Sequence, residues 1–307
     1  MKRLIIKCTL LLFVAVITTN FIMLRGKDKL SLHSHEINVG LSYQRLKALK
    51  DSSKIVIIAG SNGGFSINSR MISEAFHRPV VNTSTHAGIG VRMQFELYKE
   101  LLQTGDVVIF CPEYPNYGED KNRLYGGSTL LRVLSSHMPS AYRKISLPQW
   151  LSIYRYIGIH YAEVKKHAGI KKMEGPYSAQ AVNKYGDIEC ERLHQDTIKH
   201  NNVQGKIDKD LLRYYKYIHT YTKDRDIKLV FLPPTFMRSN YVKSKNQVDS
   251  ISMCLSRNGI AYQSEPSDYS FPDSLYFDTP YHMTQSGADI RTEVLIKDLR
   301  RILNNRE

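Results

Sequence analysis

Two unbroken apolar runs, Ile55-Val-Ile-Ile-Ala59 and Val107-Val-Ile-Phe-Cys111, restrict most tightly what this chain can fold into. Each follows a charged residue (Lys54, Asp106) and each stops at a turn former (Gly60, Pro112). A strand that is apolar on both alternating faces must be covered on both sides, as in a parallel sheet flanked by helices. Pro79-Val-Val-Asn82, Lys228-Leu-Val-Phe-Leu232 and a short segment at 260–263 read as further strands. Helical spacing of apolar residues marks Ile67 to Phe76, about 89–103, about 207–224, 245–257 and about 285–304. Strands alternating with helices predict an α/β fold built on a doubly wound parallel sheet. No clear linker interrupts the pattern, so residues 53–307 are expected to form one domain with ample core.

The first thirty residues differ. Lys2, Arg3 and Lys7 precede a stretch from Cys8 to Leu24 that carries no charge. Its length suits a membrane span and is long for a cleavable signal core, and Thr18-Thr19-Asn20-Phe21 is a poor cleavage site. Cys8 precedes the apolar core instead of following it, which excludes a lipoprotein reading. Residues 1–27 are therefore expected to be a signal anchor, with a cleaved signal peptide as the alternative, and residues 28–52 a polar juxtamembrane stretch. Arg25, Lys27 and Lys29 flank the far side, so orientation rests on the short basic head staying in the cytoplasm. That places a single-pass protein in the cell membrane with its large domain on the extracytoplasmic side.

The formal net charge is +14. Such a balance favours anionic surroundings such as phospholipid head groups or acidic glycans, unless it is only a solvated basic surface. Nucleic acid is not an expected partner, since there is no zinc-finger spacing and no RNA-binding signature. The four cysteines do not form a disulfide framework, and only Cys190 and Cys254 could pair. No Cys-x-x-Cys or Cys/His cluster suggests a metal, and no cofactor is expected.

Between Pro115 and about 205 the pattern loosens, and this stretch reads as a helical insertion after the third strand. A helix-like segment from Leu147 to His167 carries Trp150, Tyr154, Tyr156, Ile157, Ile159 and Tyr161. Its aromatic face packs on the domain, walls a cleft, or meets the bilayer surface.

In open α/β sheets ligands bind beyond the carboxyl ends of the strands. Four segments fall at such ends: Gly60-Ser61-Asn62-Gly63-Gly64, Val81-Asn82 through His86 and Gly88 to Gly90, Pro112-Glu113-Tyr114-Pro115-Asn116, and Asp278-Thr279-Pro280-Tyr281-His282. A serine becomes nucleophilic when a histidine takes its proton and an acid orients that histidine. Ser61, His282 and Asp278 could supply those three groups. Asn62, Gly88, Asn116, Glu113 and His86 are candidates for oxyanion or substrate contacts. Taken singly, the glycine-rich corner reads equally as a plain turn, and the Asp/His pair as a surface hydrogen bond. The corner could also cradle a phosphate, but it lacks the lysine of a P-loop and the Gly-x-Gly-x-x-Gly of a dinucleotide site.

Together and in this order, these segments resemble the SGNH (GDSL-type) hydrolase superfamily, in particular its membrane-anchored branch from polysaccharide and cell-envelope loci. The resemblance covers most of 54–304 in element order and rests on short blocks. It implies a flavodoxin-like three-layer α/β/α domain, with Ser61 as nucleophile, His282 as base, Asp278 as acid and Gly88 as an oxyanion donor. It further implies a serine esterase or O-acyltransferase, acting with acyl groups such as acetyl on an envelope or extracellular polysaccharide, alongside possible polysaccharide-assembly proteins. Three departures stand out. Gly60-Ser61-Asn62 lacks the family's Asp, and Pro112-Glu113-Tyr114 replaces its Gly-x-Asn-Asp block, leaving Asn116 or Asn62 to substitute. The Asp278–His282 spacing is also one residue longer than the family's, with Thr279 where the acid would stand. A catalytically weak or inactive glycan-binding scaffold is the alternative that these departures raise.

Overall fold

The computed structural model describes residues 1–304; residues 305–307 of the expected domain lie outside it. The chain is α/β. Four parallel strands, β1 (Ile55–Ala59), β2 (Val80–Asn82), β3 (Val107–Cys111) and β4 (Lys228–Phe231), form a sheet in the order β2-β1-β3-β4. Ile55 lies opposite both Val80 and Val107, and Val107 lies opposite Lys228. A separate two-stranded ladder pairs β5 (Phe236–Met237) with β6 (Ser270–Phe271).

Every residue of β1 and β3 is buried, which is why neither sequence alternates. Alternation instead divides them between two cores. Val56, Ile58, Val108 and Phe110 pack with residues of the Asn38–Ala48, Ser128–His137, Lys209–Lys223 and Lys245–Arg257 helices. Ile55, Ile57, Val107 and Ile109 pack with Ile72 of the Ser69–Phe76 helix and with Leu295, Leu299 and Ile302 of the Gln285–Asn304 helix. The helix entering β2 thus covers one face and those flanking β4 the other, so the winding direction reverses between β1 and β3. The carboxyl ends of these two strands form the switch point where a cleft is expected.

Helices at 245–257 and 285–304 form as the periodicity predicts. Two expectations are corrected. Residues 89–103 do not make one helix, because Gly90 enters at φ +85° and the chain forms a short Val91–Glu96 helix between two 3-10 turns. No strand forms at 260–263. One backbone bond, Gln263 N–H to the Phe231 carbonyl (3.0 Å), follows β4, and the Gln263 side chain rather than a backbone group reaches the Leu229 carbonyl (3.4 Å). The stretch after residue 27 is folded, with helices Lys29–His33 and Asn38–Ala48 and with Asp28, Ser31, Glu36, Asn38 and Ser42 buried. The Asn38 amide spans the carbonyls of Asn82, Ser84 and Gly186 and so fastens this segment over the end of β2.

The Lys2–Leu24 helix is long and apolar enough through Ile22 to cross a membrane, and large apolar side chains from Leu4 to Ile22 are exposed, whereas Leu24 is half-buried against the domain. The insertion holds helices Ser128–His137, Leu147–Tyr154 and Ile157–Lys166, so the segment from Leu147 is broken near Arg155. Trp150 and Tyr156 are half-buried against the domain, whereas Tyr154 and Ile159 are exposed. All four cysteines are free.

At the amino ends of β1 and β3, Lys54 and Asp106 are both fully buried, with Nζ 2.8 Å from Oδ2 in an ion pair too bent for a hydrogen bond. The carboxylate also accepts from the Lys54 and Gln103 N–H groups, each at 3.0 Å. Removing one member of such a pair strands the other charge in the interior, whereas removing both does not. Asp106→Ala is therefore expected to lower the urea unfolding free energy by about 3–5 kcal/mol, with Lys54→Met in the same chain recovering most of it. A loss below about 1 kcal/mol would mean that the pair behaves as a solvated one.

Candidate active site

Ser61 is the first residue of a six-residue helix, Ser61–Ser66, that leaves β1 directly after Gly60. The glycine-rich corner is thus a helical turn, and its glycines serve close approach. A Cβ on Gly60 would lie 2.7 Å from Glu113 Oε1, and one on Gly63 would collide with Ser84 Oγ. The Ser61 hydroxyl donates to Glu113 Oε1 (3.1 Å), and the Asn62 N–H donates to the same oxygen (3.0 Å). Glu113, just beyond β3, therefore reaches across the switch point to the end of β1. The Asn62 side chain is buried and donates to the Cys111 carbonyl (3.1 Å), so only its backbone N–H faces the site.

The second half of the site comes from the 278–284 segment. Asp278 Oδ1 accepts from His282 Nδ1 at 2.9 Å, and the Tyr177 hydroxyl donates to Asp278 Oδ2 at 2.5 Å. The longer Asp–His spacing closes because Thr279 Oγ1 accepts the His282 N–H (3.1 Å) and folds the intervening turn. The Phe65 ring stacks on His282 with centroids 4.2 Å apart and planes 14° apart. Phe65 stands one helical turn after Ser61, on the same face, with Cβ atoms about 5–6 Å apart. His282 is thereby packed against the helix that Ser61 begins. Among the described residues no hydrogen bond joins the two, and His282 Nε2 has no protein partner.

Two buried guanidinium groups bind the halves together. Arg291 donates to the Asn62 and Ser66 carbonyls (2.9 and 3.4 Å), and Arg192 to those of Phe65 and Met283 (3.2 and 3.0 Å). Carbonyls at a helix C-terminus have no intrahelical partner and carry partial negative charge, which these cations satisfy. Ser66 Oγ bridges the Tyr281 carbonyl (2.8 Å) and the Met283 N–H (3.1 Å).

The remaining predicted residues divide. His86 Nδ1 accepts the Gly88 N–H at 2.9 Å, so that N–H is engaged and not free for an oxyanion. Asn116 is fully buried, its amide has no protein partner, and its own N–H closes a turn on the Glu113 carbonyl (2.9 Å). His35, Phe65, Tyr177, Arg192 and Arg291 were not legible as site residues. His35 packs edge-on against Phe65 and Tyr177 (centroids 5.7 and 5.4 Å), and its Nε2 is buried without a partner. No local spacing signals these groups, because each reaches the site from a different element.

The electrostatics follow from burial. Burial drives His35 down to about 4, and it lowers His86 as well, so both rings are neutral near pH 7. Burial pushes Asp278 up, but the hydrogen bonds and charge of His282 and the Tyr177 hydroxyl outweigh it and hold the carboxyl below its usual range. Burial, then Asp278, raises the Tyr177 phenol. A surface cavity of about 1260 Å³ along β4 and the amino end of β3 touches none of these residues.

An Asp278-oriented imidazole with an unengaged Nε2 can accept a proton from a hydroxyl, and Ser61 is the candidate hydroxyl that the sequence supplies. The chain matches no protein-family model, and no curated protein or solved structure is significantly similar to it.

An unfolded histidine takes up its proton near pH 6.5 and His35 only near 4, so its contribution to stability is present above 6.5 and is lost as the pH falls towards 4. In denaturation series from pH 7 to 4, His35→Gln is expected to flatten that decline by an amount on the order of a few kcal/mol. A slope identical to wild type would show that His35 is solvated.

Proposed function

We propose that the protein is an exported serine esterase or O-acyltransferase of SGNH type, acting on an envelope or extracellular polysaccharide. The observation that carries the reading is the Asp278–His282 pair, whose Nε2 is unengaged and whose ring stacks on Phe65 of the helix that Ser61 begins at the switch point of a parallel sheet. The β2-β1-β3-β4 order suits the flavodoxin-like arrangement of that superfamily. The glycan substrate, the acetyl group and the extracytoplasmic side rest on the resemblance and on the basic N-terminal head.

In this mechanism His282 Nε2 takes the Ser61 proton as Oγ attacks the acyl carbonyl, and Asp278 steadies the imidazolium. The tetrahedral intermediate collapses with return of that proton to the leaving hydroxyl. Water or a sugar hydroxyl, deprotonated by the same imidazole, then releases the acyl group. The Asn62 N–H is the donor nearest the developing oxyanion, and substrate must displace Glu113 from it.

A second reading, a non-catalytic glycan-binding scaffold, is favoured by one specific contact. The Glu113 carboxylate occupies both Ser61 Oγ and the Asn62 N–H, and a fixed anion there opposes an oxyanion.

A fluorophosphonate probe separates the two. The enzyme reading expects labelling of the full-length protein at Ser61, none in Ser61→Ala, and a loss of roughly 10²–10⁴-fold in rate for His282→Gln. Absence of labelling in wild type sinks it in favour of the scaffold. Glu113→Gln removes the competing charge and is expected to raise the labelling rate; a fall would instead make Glu113 part of the proton-transfer machinery.

A further inference from the structure

The Lys2–Leu24 helix does not end in a free tether. Asn20 Nδ2 lies 3.4 Å from the Tyr154 hydroxyl, Gly26 packs on the Val164 side chain, and Asp28 Oδ1 accepts from His167 Nδ1 at 2.9 Å. Contacts in that order mean that residues 20–28 run parallel to residues 154–167. The level of the insertion relative to the N-terminal helix is therefore fixed, with Tyr154 beside the last turn of the apolar segment.

On the insertion, Leu147, Leu151, Tyr154 and Ile159 are 71%, 70%, 52% and 50% exposed. The first three are spaced by four and three residues and so share one face of the Leu147–Tyr154 helix. Other positions of the helix are committed to the domain: Gln149 and Ile153 are buried, and half-buried Trp150, flanking the stripe, stacks on Tyr142 with centroids 5.9 Å apart. Exposed Arg25, Lys27 and Lys29 stand at the end of the N-terminal helix, and Arg155, Lys165 and Lys166 along the insertion. Leucines facing outward, aromatic rings alongside and basic residues at the margin are the composition of a helix lying in a membrane interface.

We propose that the Leu147–Tyr154 helix seats the domain on an anionic phospholipid surface, with Leu147, Leu151 and Tyr154 in the headgroup–acyl boundary. The occupant is lipid and not a second protein because the stripe is continuous with the apolar N-terminal helix through the Asn20–Tyr154 contact. A segment level with the end of a membrane span faces the interface. The inference rests on residues 2–22 spanning the bilayer, and the two ideas are tested by separate readouts.

Trp150 is the only tryptophan of the chain and lies on the seating helix, which makes it an intrinsic depth gauge. Full-length protein is reconstituted into phosphatidylcholine/phosphatidylglycerol vesicles whose acyl chains carry bromine either close to the headgroup or near the bilayer centre. Flotation with the vesicles reports the span, and quenching of Trp150 reports the seat. Expected is flotation together with quenching by the shallow bromines in preference to the deep ones. In Leu147→Asp/Leu151→Asp the quenching falls to that of unbrominated vesicles while flotation persists. Leu147→Phe/Leu151→Phe, apolar at the same positions, keeps it, which separates loss of the seat from loss of the fold. Flotation without quenching in wild type overturns the seat while leaving the span intact, as does equal quenching in the aspartate variant. Failure to float overturns the span and the seat with it.

Discussion

The candidate site depends on how the Ser61–Ser66 helix is fastened to the 281–283 strand-like segment. The helix is too short to be stable by its own hydrogen bonds, and its last carbonyls face the interior. Arg291 and Arg192 satisfy the Ser66 and Phe65 carbonyls there, and Ser66 Oγ joins the helix to Tyr281 and Met283 on both sides of His282. Without that clamp nothing would hold Phe65 flat against the His282 ring. A buried charge that is fully hydrogen-bonded rigidifies its surroundings, because every displacement leaves a desolvated donor or acceptor unpaired.

The same clamp explains how residues far apart in the chain take part. Arg192 and Tyr177 come from the irregular part of the insertion, His35 from the segment after the apolar N-terminal helix, and Asp187 ties the insertion to Ser69 and Asn82 at the sheet's edge (2.6 and 2.8 Å). Both peripheral segments are therefore walls of the candidate site. If residues 2–22 span a bilayer, the imidazole of His35 is separated from that span by little more than a dozen residues, the short Lys29–His33 helix among them. The chemistry proposed for Ser61 and the seating proposed for Leu147–Tyr154 would then be coupled mechanically, through one folded body.

Glu113 gives the site its ambiguity. As the acceptor of both Ser61 Oγ and the Asn62 N–H it holds the serine in a defined rotamer, yet its charge lies where charge would develop during acyl transfer. Gly60 is glycine because the carboxylate passes so close to it. A side chain accommodated at that cost in local freedom is part of the site's working geometry, whichever of the two functional readings holds.

What the sequence determined by itself was whatever local pattern controls: four parallel strands from apolar runs, the long helices at 245–257 and 285–304, the apolar N-terminal helix, and the positions of Ser61 and Glu113 just beyond β1 and β3, whereas the 278–282 segment follows no strand of the sheet. Period and burial decide such features within a few residues of one another. Tertiary structure alone decided the rest. The strand at 260–263 gave way to a single backbone bond and a glutamine side chain, the Gly88 N–H was taken up by His86, and the acid–base pair gained Tyr177 from about a hundred residues away. Those outcomes turn on which donor reaches which acceptor once the chain is compact, and hydrogen-bond satisfaction in a buried site is settled by three-dimensional proximity that no periodicity encodes.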